Sequence, residues 1–364
     1  MNLRIPGPTP VPPTILEAGS REMIDHRGPE FSSLLRTITS GLQRWFKTTS
    51  DVYVFPGSGT GGLEAAVVNC FSPGDPILAI SIGVFGERFA SIAKAFGLDV
   101  IKYAVEFGRA ADPAEVARLL DEHPEVKGVL VTHNETSTGV TNDIAAIAKA
   151  VNGRALLLVD GVSSIGALPF DQDGWGIDVA ITGSQKAWMS PPGVVMVSAS
   201  PRALKAAETA TCPRFYWDFA KARQYAQNGQ TYTTPAVSVL FALERAIRLM
   251  DEEGMERVFA RHRELAAYTR EQLTALGFAV MGDSEHTSAV VTAAWLPAGV
   301  DGKKLVKLVR EEHGVVISGG QQSLSGKIIR VGHLGWVNRA DLDGVFAALR
   351  AALPKAAAVP AASR

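Results

Sequence analysis

From residue 51 to residue 198 the chain alternates short, continuous apolar runs with stretches whose apolar residues recur at helical spacing. Residues 51–55, 76–81, 99–105, 128–132, 155–160, 177–181 and 194–198 read as strands, and the continuous apolar run 155–160 is the kind buried on both faces of a parallel sheet. Residues 63–71, 86–96, 113–123 and 143–151 separate the first five of these runs and read as helices. Such alternation with short loops predicts an α/β fold, a mostly parallel sheet between layers of helices. Upstream, residues 14–23 and 30–46 read as two helices, and the loop between them holds His26 and Arg27, read as solvated. Residues 1–14 carry prolines at 6, 8, 10, 12 and 13 and form an extended arm, which either lies on the surface or crosses a site.

The period changes after Arg214. Residues 236–253 and 255–276 predict two long helices, the first with Val239, Ala242, Leu243, Ala246 and Leu249 along one stripe. Beyond Gly277 a smaller unit follows, with strands at 289–295, 315–318 and 328–331 and helices at 302–312 and 339–352. The chain therefore divides into an arm (1–14), a large domain (15–255), a small C-terminal α+β domain (256–353) and an Ala/Pro tail (354–364) expected to be disordered.

Composition narrows the class. A chain of 364 residues suits two domains, and 36 basic against 37 acidic residues give a formal net charge of −1. That balance offers no basic footprint for nucleic acid or a membrane surface. No apolar run reaches membrane-spanning length, and proline interrupts the N-terminus before a signal-peptide core, so the expected location is the cytoplasm. Cys70 and Cys212 read as reduced thiols, and no metal-ligand spacing is present.

Candidate chemistry gathers at the carboxyl ends of the predicted strands, where open α/β sheets bind ligands. Asp160 closes one strand, and Lys186 follows 26 residues later in Gly183-Ser-Gln-Lys-Ala187, between two others. Shielding from water lowers a lysine's pKa, and the free amine forms an imine with an aldehyde. An aspartate facing a pyridinium nitrogen and an imine-forming lysine are the pair a pyridoxal-phosphate enzyme requires, so that cofactor leads. Gly57-Ser-Gly-Thr-Gly-Gly62, between a strand and a helix, suits a phosphate, with Ser58, Gly59 and Thr60 as its contacts. The same run satisfies the dinucleotide pattern Gly-x-Gly-x-x-Gly, but the next strand ends without the carboxylate that holds a ribose. Phe85 either stacks on a cofactor ring or belongs to the core. Thr136, in Thr132-His-Asn-Glu-Thr-Ser-Thr-Gly139, bonds a cofactor hydroxyl or closes a local turn. Arg330 lies inside an apolar strand and needs a carboxylate, from a substrate or from a structural Asp or Glu. His333 reads as structural.

These runs, in this order, resemble the class V (fold type I) pyridoxal-phosphate aminotransferases, and within them the alanine–glyoxylate and serine–glyoxylate group. The resemblance extends from Pro6-Gly-Pro8 to Arg330-Val-Gly-His-Leu-Gly335. It implies a large domain built on a mostly parallel, seven-stranded-type sheet, with a smaller α+β domain after it. It also implies Lys186 as the Schiff-base lysine, Asp160 as the partner of the pyridine nitrogen, and Ser58, Gly59 and Thr60 as the phosphate cup. Gln185 precedes the lysine as in the family, Val162 packs on one ring face, and Phe85 stands where many members have tryptophan. Thr136 matches the hydroxyl near the phenolic oxygen, and Arg330 matches the arginine for the substrate carboxylate. Tyr232, with Thr233 or Thr234, resembles the segment lent to a neighbouring subunit's phosphate site, which implies a homodimer. The implied reaction is transamination of a small L-amino acid, alanine or serine, with glyoxylate or pyruvate as acceptor. Ureidoglycine or an aminophosphonate is the alternative donor. Three other readings are weighed against it: a cysteine desulfurase, which needs a mobile cysteine that residues 318–326 lack; an NAD-dependent dehydrogenase, which leaves Asp160 and Lys186 idle; and a non-catalytic subunit of the same fold.

Overall fold

A computed structural model describes residues 1–357. The chain opens on a two-residue strand, β1 (Asn2–Leu3), and helices α1 (Pro13–Gly19) and α2 (Pro29–Phe46). Strand and helix then alternate: β2 (Asp51–Gly57), α3 (Gly59–Cys70), β3 (Pro76–Ser81), α4 (Val84–Ala95), β4 (Asp99–Ala104), α5 (Pro113–Glu122), β5 (Gly128–Thr132). After a hairpin of β6 (Asn134–Glu135) and β7 (Val140–Thr141) come α6 (Ile144–Val151), β8 (Leu156–Asp160), the one-turn α7 (Gln172–Trp175), β9 (Val179–Gly183) and β10 (Gly193–Ala199). Local chemistry sets several starts: Asp112 and Asp143 accept the Ala114 and Ala146 amides at the heads of α5 and α6, and Pro29 opens α2.

The seven longer strands form one sheet in the order β2-β10-β9-β8-β5-β3-β4. Only β10 runs antiparallel to its neighbours, which fulfils the expectation of a mostly parallel sheet. Its two faces carry separate cores. One gathers Phe31, Ile38, Trp45, Phe170, Trp188 and Phe241, and the other Leu63, Val67, Phe89, Ile181 and Val195. Burial on both faces is why β3, β5, β8, β9 and β10 read as unbroken apolar runs, whereas the edge strand β4 is partly exposed and carries Lys102.

Helices α8 (Pro201–Thr209), α9 (Phe219–Ala226), α10 (Val237–Glu253) and α11 (Met255–Ala275) lead to the C-terminal unit. There β11 (Ala279–Val280), β12 (Val291–Trp295), α12 (Gly302–His313), β13 (Val315–Val316), β14 (Ser318–Gly319), β15 (Ile328–Gly332) and α13 (Arg339–Ala352) follow. The antiparallel sheet β11-β12-β15-β14 packs on a third core that includes Leu265, Leu273, Leu305 and Phe346. Helix α11 serves two cores, since Val258 and Phe259 belong to the first and Leu265 and Leu273 to the third.

Two expectations need correction. The single strand expected at 315–318 is split: β13 pairs in parallel with β1 of the arm, while β14 pairs with β15. The tail expected to be disordered from residue 354 is ordered at its start. Pro354–Ala356 form a 3-10 turn, Ala356 is fully buried, and its carbonyl accepts the Asp301 amide. Residues 358–364 lie outside the described residues. Among the described residues, no helix is long and apolar enough to cross a membrane.

Two buried histidines fasten the segment between β15 and α13, His262 to α11 and His333 to β12 and the residues before it. His262 donates from Nδ1 to the Val258 carbonyl (2.7 Å) and accepts the Gly335 amide at Nε2 (3.1 Å). His333, read as structural from the sequence, donates from Nδ1 to the Ala289 carbonyl (3.1 Å) and meets Thr292 Oγ1 through Nε2 (2.9 Å). Burial pulls both pKa values down to about 3, helped by Arg261 beside His262 and by His262 and Arg270 beside His333. The unfolded chain therefore takes up these protons near the ordinary histidine pKa, well before the folded chain does. Stability from this source is full above about pH 6.5 and falls below it, by up to about 1.4 kcal/mol per pH unit for each histidine. His133, buried and pulled down to about 4, adds to this slope, and Asp160, raised to about 6, opposes it. The difference between wild type and a His333→Gln variant in urea unfolding at pH 7, 6 and 5 should therefore isolate one histidine's share.

Candidate active site

The parallel strands end side by side, and their register brings the key residues together. Thr132 at the end of β5 pairs with Asp160 at the end of β8, and Asp160 pairs with Ile181 of β9. The turn after β9 carries Gln185 and Lys186. Its shape is locked by the Met189 amide on the Lys186 carbonyl (3.1 Å), Ser184 Oγ on the Pro191 carbonyl (2.7 Å) and buried Trp188 on Thr182 Oγ1 (3.1 Å). Lysine and aspartate thus meet over one sheet edge, as the sequence reading expected.

Their electrostatics are coupled. Burial pushes the Asp160 carboxyl up to about 6; the Val162 amide, 3.0 Å from Oδ1, opposes this, Glu135 adds to it, and Lys186 and Arg88 oppose it. Burial pulls half-buried Lys186 down to about 8 against the attraction of Asp160, with Arg330 and Arg88 adding to the fall. The amine is therefore partly neutral at neutral pH, the form in which a lysine can act as a nucleophile or base.

The glycine run forms a cradle at the head of α3. Ser58 is the N-cap but makes no side-chain cap bond, and the first intrahelical amide bond is Gly62 to Ser58 (3.2 Å). The amides of residues 59–61 are left open, an anion site at a helix N-terminus. Two glycines are required by packing. A Cβ on Gly59 would stand 2.7 Å from Val162 Cγ2, and one on Gly62 would stand 2.5 Å from Ile181 and Val195. Val162 is thereby set against the cradle beside Asp160. Thr60 accepts from Arg88 Nη1 (3.1 Å), and the Arg88 guanidinium lies 4.8 Å over the half-buried Phe85 ring at the start of α4.

Arg330 is 6 % exposed on β15, with Nε donating to the Gly319 carbonyl (2.9 Å) and Nη1 to the Thr136 carbonyl (3.0 Å). Among the described residues no Asp or Glu lies within ion-pair distance of it, which answers the question the sequence left open about a structural partner. Thr136 is buried, and its carbonyl is what links the β5 loop to Arg330.

The arm crosses this cluster. The Pro6 carbonyl accepts from Lys186 Nζ (2.8 Å), Thr9 bonds the Gln185 carbonyl through its amide (3.0 Å) and the Lys186 carbonyl through Oγ1 (2.9 Å), and the Gly332 amide donates to the Arg4 carbonyl (2.7 Å). Gly7 has φ +138°, and a Cβ there would stand 2.5 Å from Lys186 Nζ. Gly7→Ala should therefore displace the lysine and lower kcat about 100-fold, as ångström-scale misplacement of a reacting group does. Steady-state kinetics beside a thermal melt would separate this from unfolding. Sequence patterning found the arm but not its contacts, because a proline-rich extended segment has no periodicity that points to a partner.

Tyr232, Thr233 and Thr234 are not brought into this cluster by the single chain. Tyr232 donates to the Phe215 carbonyl (2.7 Å), and Thr231 Oγ1 donates to the Thr233 carbonyl (2.8 Å). Arg27, expected to be merely solvated, fastens this segment: it donates to the Thr231 carbonyl and Gln230 Oε1 and lies 5.2 Å over the Tyr225 ring.

The residues present fit pyridoxal phosphate on three observations. Among the described residues the Asp160 carboxylate receives one donor only, Val162, leaving an oxygen for a ring N–H. Gln185 Oε1 is buried without a partner. The α3 amides are open.

Comparison with known proteins agrees with the fold. Residues 3–343 match the family described as Aminotransferase class-V. The chain is 41% identical over 339 residues to the L-aspartate–glyoxylate aminotransferase of Paracoccus denitrificans, covering 91% of this chain and 85% of that one. It is likewise 41% identical over 355 residues to the soluble hydrogenase 42 kDa subunit of Anabaena cylindrica, covering 96% and 92%. The crystal structure of an alanine–glyoxylate aminotransferase from Nostoc sp. superposes with a TM-score of 0.93 at 29% identity, covering 96% of this chain and 94% of that one.

Proposed function

From the premise that this chain belongs to the class-V aminotransferases and is a pyridoxal-phosphate-dependent enzyme, we propose that it moves the amino group of a small L-amino acid, alanine or serine, to glyoxylate or pyruvate. The observation that carries this reading is a buried guanidinium, Arg330, held by two carbonyls without an acidic partner, in the same cluster as Lys186 and Asp160. Among the described residues, Glu135 is the one carboxylate whose charge acts on it, and from beyond ion-pair distance, so the guanidinium keeps donors free for a carboxylate such as the α-carboxylate common to donor and acceptor. The Pro6 carbonyl, 2.8 Å from the Lys186 amine, closes one side of the space and favours a small side chain.

Residue roles follow. Ser58, Gly59 and Thr60 would hold the phosphate, Val162 and Phe85 the two ring faces, and Gln185 and Thr136 the edge polar atoms. Asp160 offers its free oxygen to keep a pyridine nitrogen protonated. Arg330 fixes the carboxylate so that the donor's α-carbon stands beside Lys186. Lys186 Nζ would then take up the α-proton, hold it as an ammonium donating to the Pro6 carbonyl, and deliver it to the carbon of the bound group that keeps the amino nitrogen. The bound cofactor supplies the electron sink that stabilises charge developing at that carbon. Tyr232 with Thr233 or Thr234, held at the surface away from their own cradle, are proposed to reach the cradle of a second copy in a homodimer.

Incubating the cofactor-loaded protein with ¹⁵N-alanine, ¹⁵N-serine or ¹⁵N-aspartate and glyoxylate, and following ¹⁵N-glycine by mass spectrometry, tests the donor. Label from alanine or serine is the expected result; label from aspartate alone would overturn the small-donor reading. A second reading, a non-catalytic subunit, is favoured by the name of the Anabaena relative. No labelled glycine from any amino donor would support it.

A further inference from the structure

We infer that Glu135 is a positioning residue of this site: one buried carboxylate at the end of β6 that ties the start of α4 to the turn whose Thr136 carbonyl meets Arg330. The inference rests on the aminotransferase reading and deepens it. Glu135 is fully buried. Its Oε2 accepts the amides of Phe85 (2.9 Å) and Gly86 (3.2 Å), 50 and 49 residues away in the chain. Its Oε1 accepts the Ser137 amide (3.0 Å) and Ser137 Oγ (2.6 Å), and Ser137 Oγ in turn accepts the Val84 amide (3.0 Å). Three of the four groups it receives are backbone amides, which can only donate, so both oxygens act as acceptors.

The geometry has two consequences. Helix α4 begins with its first amides anchored to a carboxylate at its positive end, so the Phe85 ring has a fixed address. A Cβ on Gly83 would stand 2.5 Å from the Glu135 side chain and Ser137 Oγ, so the fit admits no shift of that block. On the other side, the residue next to Glu135 lends its carbonyl to Arg330, and Glu135 is the negative charge that acts on that guanidinium. One carboxylate therefore sets both the ring-face residue and the carboxylate-binding residue, its two oxygens being taken up by Phe85, Gly86 and Ser137.

Glu135→Gln tests this. The amide has the same shape but turns its NH₂ toward backbone N–H groups, so two charge-assisted bonds become clashes. In the apoprotein, hydrogen exchange at the Phe85 and Gly86 amides should speed up and the thermal midpoint should fall, because buried donors lose their acceptor. In the loaded enzyme the KM for the amino donor should rise about 10-fold or more, with kcat at saturating cofactor within about threefold. A folded Glu135→Gln protein with unchanged exchange and unchanged KM would overturn the inference. Should that variant fail to fold, Ser137→Ala removes only the 2.6 Å bond and the Val84 contact, and should raise KM a few-fold; unchanged kinetics there would overturn it equally. If instead the wild-type protein transferred no amino group, the aminotransferase reading would fall, while faster apoprotein exchange would still report the anchoring of α4.

Discussion

Lys186→Ala is expected to abolish turnover, lowering kcat by at least about 10⁴-fold, while leaving the protein folded and able to take up pyridoxal phosphate. The lysine makes one side-chain hydrogen bond, to the Pro6 carbonyl, and its turn is held by Ser184, Trp188 and backbone bonds that the substitution does not touch. Removal of the amine therefore deletes a nucleophile and proton carrier without removing a packing element. The open α3 amides and Asp160 remain, so cofactor should still bind, weakened but measurable. Added methylamine should restore part of the rate. A Lys186→Ala protein that turned over within tenfold of wild type would place the chemistry on another residue.

Asp160→Asn should be the next most severe change, lowering kcat by about 10²–10³-fold, the range for loss of one preorganised electrostatic contact. Asparagine keeps the side-chain shape and an oxygen for the Val162 amide, so the fold should survive. It loses the negative charge that would keep a ring nitrogen protonated. It also removes the attraction that holds the Lys186 pKa up, so that pKa should fall below its present value of about 8. The rise of the rate with lysine deprotonation, the acid-side limb of the pH profile, should accordingly move to lower pH in the variant. Equal kcat and an unmoved profile would separate Asp160 from the reaction.

Much of this was legible in the residue pattern. Strands buried on both faces, such as β5 and β8, announce themselves as apolar runs, and the carboxyl-end rule then places Asp160 and Lys186 on one edge. Arg330 was legible as a problem, a cation inside an apolar strand, but its neutral partners Gly319 and Thr136 are backbone carbonyls, which no sequence motif marks. Glu135 and the Pro6–Gly7 backbone escaped for a related reason. A carboxylate that serves amides 50 residues away, and a carbonyl 180 residues from its lysine, act through contacts set by tertiary packing. Helices α8 and α9 were missed because residues 200–226 mix Ala, Lys, Arg and aromatic residues without a clean apolar stripe. The glycine run was ambiguous in sequence because Gly62 satisfies a dinucleotide pattern; in the structure that glycine makes room for the side chains of Ile181 and Val195.

The central claim is that Lys186, Asp160 and Arg330 form one transamination site. The most direct test is the visible absorption of the cofactor-loaded protein during addition of L-alanine or L-serine and then glyoxylate. The expected result is a visible band that bleaches with the donor, returns with glyoxylate, and is absent in Lys186→Ala. A band that persists through both additions, or that survives in Lys186→Ala, would contradict it.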